Sequence, residues 1–204
     1  MTADSTRIAD QLQFLNEIEK LKVVYRHNRT IDGARYENSA EHSWHVAVMA
    51  LVLREHADTP HLDILKVVKM LLIHDLVEVY AGDTWVYDAA ASLEQVDREE
   101  SAATELFSLL PSDQATEFHA LWREFEVSDS AEAIYARAID SLQPLTNHLA
   151  IGGDNPEEPR PTKSQVIESK RHIADGSKAL WNTAQSIIDE SVARGLYRDE
   201  PAGS

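Results

Sequence analysis

Apolar residues recur at helical spacing along most of the chain. The first run, Ile8, Leu12, Leu15, Ile18 and Leu21, reads as one face of an opening helix. Over residues 22–38 the period breaks, with Gly33 and scattered charge. Ser39 then stands where a cap opens a helix through Val46, Met49 and Leu53 to about His56, ended by Thr59-Pro60. A third helix is predicted over about 63–81, with Leu65, Val68, Leu72 and Val79 near core spacing, a buried middle at Met70-Leu71-Leu72-Ile73, and Gly82 as its stop.

Ser92-Leu93-Glu94-Gln95 has capping-box spacing and opens a helix reaching Leu110 before Pro111, and Phe118, Leu121, Trp122 and Phe125 mark the packing face of the next. Residues 128–150 are helical again. Pro144 removes a backbone donor there and crowds the carbonyl of Asp140, which predicts a kink. The Gly- and Pro-rich stretch 151–161 reads as a loop, and a helix over about 162–194 closes the chain. No repeat or strand-like alternation displaces this reading. The expectation is an all-α helical bundle, a single domain over 1–204 with its core at about 10–150.

Only 7 Gly and 7 Pro in 204 residues argue against a turn-dense β fold. The balance of 19 basic and 35 acidic residues gives −16, which disfavours nucleic acid polymers, whose binding rests on Lys and Arg neutralising phosphates. A small anionic substrate is compatible only where a cation or clustered arginines reverse the local potential. With no Cys, disulfides and thiolate chemistry are excluded, and any metal must be held by His, carboxylates, carbonyls or water. No leader-like start and no apolar run of about 18 residues is present, so the expectation is a cytoplasmic protein without membrane contact.

His74-Asp75 is the anomaly, two ionisable residues directly after Met70-Leu71-Leu72-Ile73. Burying such groups is costly unless each finds a cation, a donor or a metal. Asp75 and Glu78 are three apart and His74 and Glu78 four apart, so all three share one side of a helix. Glu41-His42-Ser43-Trp44-His45 on the earlier helix and Asp140 on the later one are able to converge with them, since bundles build metal sites from side chains on facing helices.

In that order, His42, His74-Asp75 and Asp140 resemble the H…HD…D signature of HD-domain phosphohydrolases. The fuller text sharpens the likeness to the 5′-deoxynucleotidase branch: Leu21-Lys22 to Arg26, Arg35-Tyr36-Glu37-Asn38-Ser39-Ala40-Glu41-His42-Ser43, and His74-Asp75-Leu76-Val77-Glu78-Val79-Tyr80-Ala81-Gly82-Asp83. The resemblance implies that His42, His74, Asp75 and Asp140 hold one divalent cation, from the set Mn²⁺, Co²⁺, Mg²⁺, Zn²⁺ or Fe²⁺. It implies Glu78 and Asp83 as catalytic groups with room for a second ion beside them, and Arg26 as the phosphate contact. His27, Arg35, Asp83 and Thr84 complete the expected substrate site. In that branch a Trp that helps select deoxyribose follows the arginine; His27 stands here instead, so strict deoxyribose selection does not carry over. The expected reaction is hydrolysis of (deoxy)nucleoside 5′-monophosphates by a homodimer. Its rivals are hydrolysis of another phosphoester or diphosphate nucleotide, a non-catalytic metal- or nucleotide-binding protein, and a structural bundle whose His and Asp residues only satisfy one another.

Overall fold

A computed structural model of the chain describes residues 3–82, 89–153 and 160–199. α1 (Ala3–Ile18) runs into a 3₁₀ turn, Glu19–Val23. Its predicted face holds only at the far end: Leu21 is buried and Ile18 packs on the core, but Ile8, Leu12 and Leu15 are exposed, and the buried contact is Phe14, edge-on to Phe118 at 5.6 Å between ring centroids.

The aperiodic stretch that follows holds a short antiparallel pair, β1 (Tyr25–Arg29) and β2 (Tyr36–Asn38), with Tyr25 opposite Asn38 and Arg29 opposite Tyr36. The hairpin is almost wholly polar, so it carries no apolar alternation for a sequence reading to find. Asn38 rather than Ser39 caps α2 (Ser39–Val52): its backbone is extended and its side chain accepts the Glu41 N–H at 2.9 Å. The helix stops at Val52, and residues Arg54–His56 form a separate 3₁₀ turn.

α3 (Ile64–Ile73) is capped by Asp63, which accepts from the N–H groups of Leu65 and Lys66 at 3.1 Å. Its buried positions are Val67, Met70, Leu71 and Ile73, and the first three, continued by His74, make the i, i+3, i+4, i+7 series of one helical face. The expected register is therefore rotated, with Leu65 64% and Leu72 47% exposed. Nor does the helix run unbroken to residue 81. A 3₁₀ turn, His74–Val77, intervenes before the single turn α4 (Glu78–Ala81), which Gly82 ends at φ +74°, a left-handed value that favours glycine.

α5 (Ala89–Phe107) already runs before Ser92, so that residue does not cap it. α6 (Ser112–Val127) follows Pro111 and buries Leu121, Trp122 and Phe125. α7 (Ala131–Ile151) is capped by Ser130 and continues through Pro144. The expected closing helix is three: α8 (Lys163–Lys170), α9 (Ile173–Gly176) and α10 (Lys178–Ala193). Ser177 causes the second break. Its backbone is extended, and its hydroxyl donates to the His56 carbonyl while accepting the Leu180 N–H.

α2, α3 and α7 pack on one another around Val46, Val67, Met70, Leu71 and Ile139, all fully buried. Burial of each large side chain contributes about 1.5–3 kcal/mol. Polar links fix the arrangement: Tyr135 donates to the Ala50 carbonyl at 3.3 Å, and Asn147 to the Arg29 carbonyl at 2.6 Å. No helix among the described residues is long and apolar enough to cross a membrane.

α9 sits directly on α7. A Cβ at Gly176 would lie 2.9 Å from the Ala138 Cβ and 3.0 Å from the Ile134 carbonyl oxygen. Gly176→Ala is expected to lower stability in urea unfolding by about 1–3 kcal/mol, the cost of overpacking a fitted contact; unchanged stability would show that α9 is not seated this tightly.

Candidate metal centre

Three elements deliver the chemistry. α2 turns His42 inward because it lies on the buried stripe with Ser39, Ser43 and Val46. The end of α3 delivers His74, and the 3₁₀ turn that follows buries Asp75 beside it. α7 contributes Asp140, with Gln143 one turn further along the same side.

His42, His74 and Asp140 each present one ligand atom, and these atoms all lie within 4.8 Å of one another. His42 Nε2 is 2.9 Å and His74 Nε2 3.6 Å from Asp140 Oδ1. Asp75 stands against this group, its Oδ1 3.0 Å from His74 Nε2. Both histidines are buried, whereas the Asp140 side chain is 26% exposed and forms the side open to solvent.

The ring orientations are fixed from behind. His74 Nδ1 donates to the Leu71 carbonyl at 2.9 Å, and His42 Nδ1 to Gln143 Oε1 at 3.3 Å. Gln143 in turn donates to Glu37 Oε1 at 3.0 Å. An imidazole that donates through Nδ1 keeps Nε2 for a proton or a metal, so both Nε2 atoms face Asp140 as the positions where positive charge is taken up. His74 Nε2 is buried and makes no hydrogen bond despite the two carboxylates near it. An orphaned buried nitrogen between carboxylates fits a bound cation.

The electrostatics agree. Burial by itself would push the His74 pKa down, but Asp75 and Asp140 outweigh it and hold the imidazole well above its ordinary value. Burial would raise Asp75, yet His74 and Arg26 bring it down to about 2. Asp140 is held well below the usual carboxylate range against its own burial, by its close contact with His42 Nε2 and by the neighbouring His74. Two ionised acids therefore meet two imidazoles, and the pocket attracts positive charge, whether a proton or a metal ion.

Arg26, on β1, donates to Asp75 Oδ2 at 2.7 Å and lies 3.9 Å from Glu78 Oε1. It thereby leaves Asp75 Oδ1 turned toward His74. Glu78 is buried and accepts a short hydrogen bond from the Ser39 hydroxyl. His27 is exposed, next along the strand from Arg26. Arg35 forms a two-pronged ion pair with Glu41, at 2.9 and 2.7 Å, on the exposed rim. Asp83 and Thr84 lie outside the described residues. Sequence reasoning missed Gln143 and Glu37 as supports for His42. Gln143, three residues beyond Asp140, was within reach of helical periodicity; the role of Glu37 depends on the hairpin.

This fold and this group of histidines and acids define a class. The chain belongs to the HD-domain family, whose domain matches residues 18–181. The crystal structure of a predicted metal-dependent phosphohydrolase from Magnetospirillum magnetotacticum MS-1 is similar with a TM-score of 0.87 and 43% identity, over 94% of this chain and 98% of that one. The 5′-deoxynucleotidase HDDC2 of Bos taurus is 35% identical and that of Homo sapiens 34%, each over 133 residues and 65% of this chain. The match spans 63% of the length of those two curated relatives.

Because His74 holds its proton above the ordinary histidine range, a metal has to displace it. Below that raised pKa, affinity for Mn²⁺ is expected to tighten by about tenfold per pH unit, with a proton released on binding. Calorimetry in buffers of different ionisation enthalpy measures both; an affinity flat between pH 5.5 and 8 would contradict the arrangement.

Proposed function

We propose that this chain is a metal-dependent phosphomonoesterase that releases phosphate from nucleoside 5′-monophosphates, deoxyribonucleotides included. The observation that carries the reading is the buried, unpartnered His74 Nε2 facing His42 and Asp140, with Arg26 at the edge of the same group. Family membership and similarity to proteins named as a metal-dependent phosphohydrolase and as 5′-deoxynucleotidases support it.

His42, His74 and Asp140 would hold a divalent cation, with Asp75 Oδ1 as fourth ligand. When bound, such an ion lowers the pKa of coordinated water and offsets charge on the phosphoryl oxygens. Around it the chain supplies the rest. Glu78, which accepts from the Ser39 hydroxyl, would accept a proton and orient the attacking water. Arg26 bridges the Asp75 and Glu78 side of the pocket, where its guanidinium is able to meet a phosphate dianion. The ion is drawn from Mn²⁺, Co²⁺, Mg²⁺, Zn²⁺ or Fe²⁺, and a second ion beside Glu78 and Asp83 belongs to the same proposal.

We read the protein as one domain and a cytoplasmic homodimer. Trp44, Val48, Leu51 and Val52 leave one side of α2 exposed and apolar, surface of the kind that association buries.

Purified protein with Mn²⁺ or Co²⁺ is expected to release phosphate from nucleoside 5′-monophosphates, tested as paired ribo- and deoxyribonucleotides. Glu78→Gln is expected to keep its metal and lose about 10²–10⁴-fold in kcat, whereas His74→Ala loses the metal itself. No release from any monophosphate, with cleavage of a cyclic or polyphosphorylated nucleotide, would overturn the substrate class; full turnover in Glu78→Gln would remove that residue from the chemistry.

A further inference from the structure

The C-terminal third of the chain passes close to the metal group and has no role in the account so far. Two contacts fix where it passes. His172 Nε2 lies 2.8 Å from the hydroxyl of Ser141, the residue after Asp140. Four residues later Gly176 is pressed against Ala138 and the backbone of Tyr135. Residues 172–176 therefore lie along 134–141 of α7, the stretch that carries Arg137, Asp140 and Ser141. Lys170, the last residue of α8, precedes His172 by two positions, and its charge interacts with that of Asp140.

Lys170 is half-buried, and among the described residues its ammonium makes neither an ion pair nor a hydrogen bond. The charges that act on it are one acid, Asp140, and two other cations, Arg26 and Arg137. Those cations are both engaged. Arg26 donates to Asp75; Arg137 donates to the Glu126 carbonyl at 2.8 Å and lies over the Phe125 ring, whose other neighbour is His74 at 4.8 Å between centroids. Arg26 thus stands on the Asp75 and Glu78 side of the pocket, while Lys170 feels the charges of Asp140 and Arg137, in a chain of net charge −16.

An ammonium held in a partly dry site beside two guanidiniums is unfavourable on its own account. Burial and those two arginines push the Lys170 pKa below its ordinary value, with Asp140 pulling the other way. Burial, Lys170 and Arg137 likewise lower His172. A ligand carrying two negative charges and several acceptor oxygens removes the penalty, and lysine serves phosphate as a compact point charge with three donors.

We infer that Lys170 is a second phosphate-binding cation of this site, meeting the substrate's phosphoryl oxygens from the α8 side while Arg26 meets them from β1. The inference rests on the phosphomonoesterase reading and adds a residue to it. Positive charge supplied from both edges of the pocket is what lets so acidic a protein admit a dianion.

The test uses the full chain loaded with Mg²⁺ or Zn²⁺ and compares wild type with Lys170→Ala, Lys170→Met and Lys170→Arg. Metal content, thermal midpoint, kcat and KM for a nucleoside 5′-monophosphate, and the dissociation constant of inorganic phosphate are measured for each. Lys170→Ala and Lys170→Met are expected to raise KM and the phosphate dissociation constant together by about tenfold or more, with metal content unchanged and kcat altered far less. Lys170→Arg is expected to recover part of the loss. Both constants staying within about twofold of wild type, or loss of the metal in the variants, would overturn the inference. Phosphate binding is measured without turnover, so the two readings fail separately. A wild type that binds phosphate through Lys170 but hydrolyses no monophosphate sinks the function and leaves the lysine. An active wild type whose phosphate binding ignores Lys170 does the reverse.

Discussion

His74 Nε2 organises everything else in the pocket. It is buried, it has no hydrogen-bond partner, and the Leu71 carbonyl behind the ring fixes which way it points. A polar atom in that condition costs stability unless something positive occupies the space before it. What surrounds that space is consistent: a second imidazole turned the same way through Gln143, and acids on both sides whose pKa values are held low. The fold supplies the placement by packing α2, α3 and α7 together, so that His42, His74 and Asp140, from three separate stretches of chain, present their ligand atoms within 4.8 Å of one another.

Cation attraction and anion attraction are arranged on different sides of one pocket. The acids face inward around the imidazoles, whereas Arg26 approaches from the hairpin and Lys170 feels the charge of Asp140. The net charge of −16 therefore describes the surface at large and not the potential that the proposed substrate would meet at this edge. The positions of Arg26 and Asp75 serve both tasks, since one hydrogen bond between them orients the acid toward His74 and holds the guanidinium at the pocket wall.

Much of this was legible in the sequence. The His74-Asp75 pair stood out because it interrupts an apolar run, and the buried series Val67, Met70, Leu71 and His74 shows why: the histidine continues the core face of its helix. The register assigned to that helix was nonetheless wrong, because in a run as apolar as Met70-Leu71-Leu72-Ile73 periodicity barely distinguishes the outward Leu72 from its neighbours. The 3₁₀ turn over His74–Val77 has no composition signal either. The polar hairpin escaped because it lacks apolar alternation, and with it went the roles of Glu37 and the facing of His27. The closing helix was read as continuous, since only tertiary contact reveals that Gly176 and Ser177 are needed where α9 meets α7 and the His56 carbonyl. Arg35 was read as a substrate contact from its place in the motif, and the structure gives its guanidinium to Glu41.

The central claim is that His42, His74 and Asp140 share a cation. Anomalous diffraction from crystals grown with Mn²⁺ measures this directly. The account predicts one strong peak within about 2.0–2.4 Å of His42 Nε2, His74 Nε2, a carboxylate oxygen of Asp140 and Asp75 Oδ1. A map with no peak there at saturating Mn²⁺, or a peak held by surface acids with His74 Nε2 still unpartnered, would contradict it.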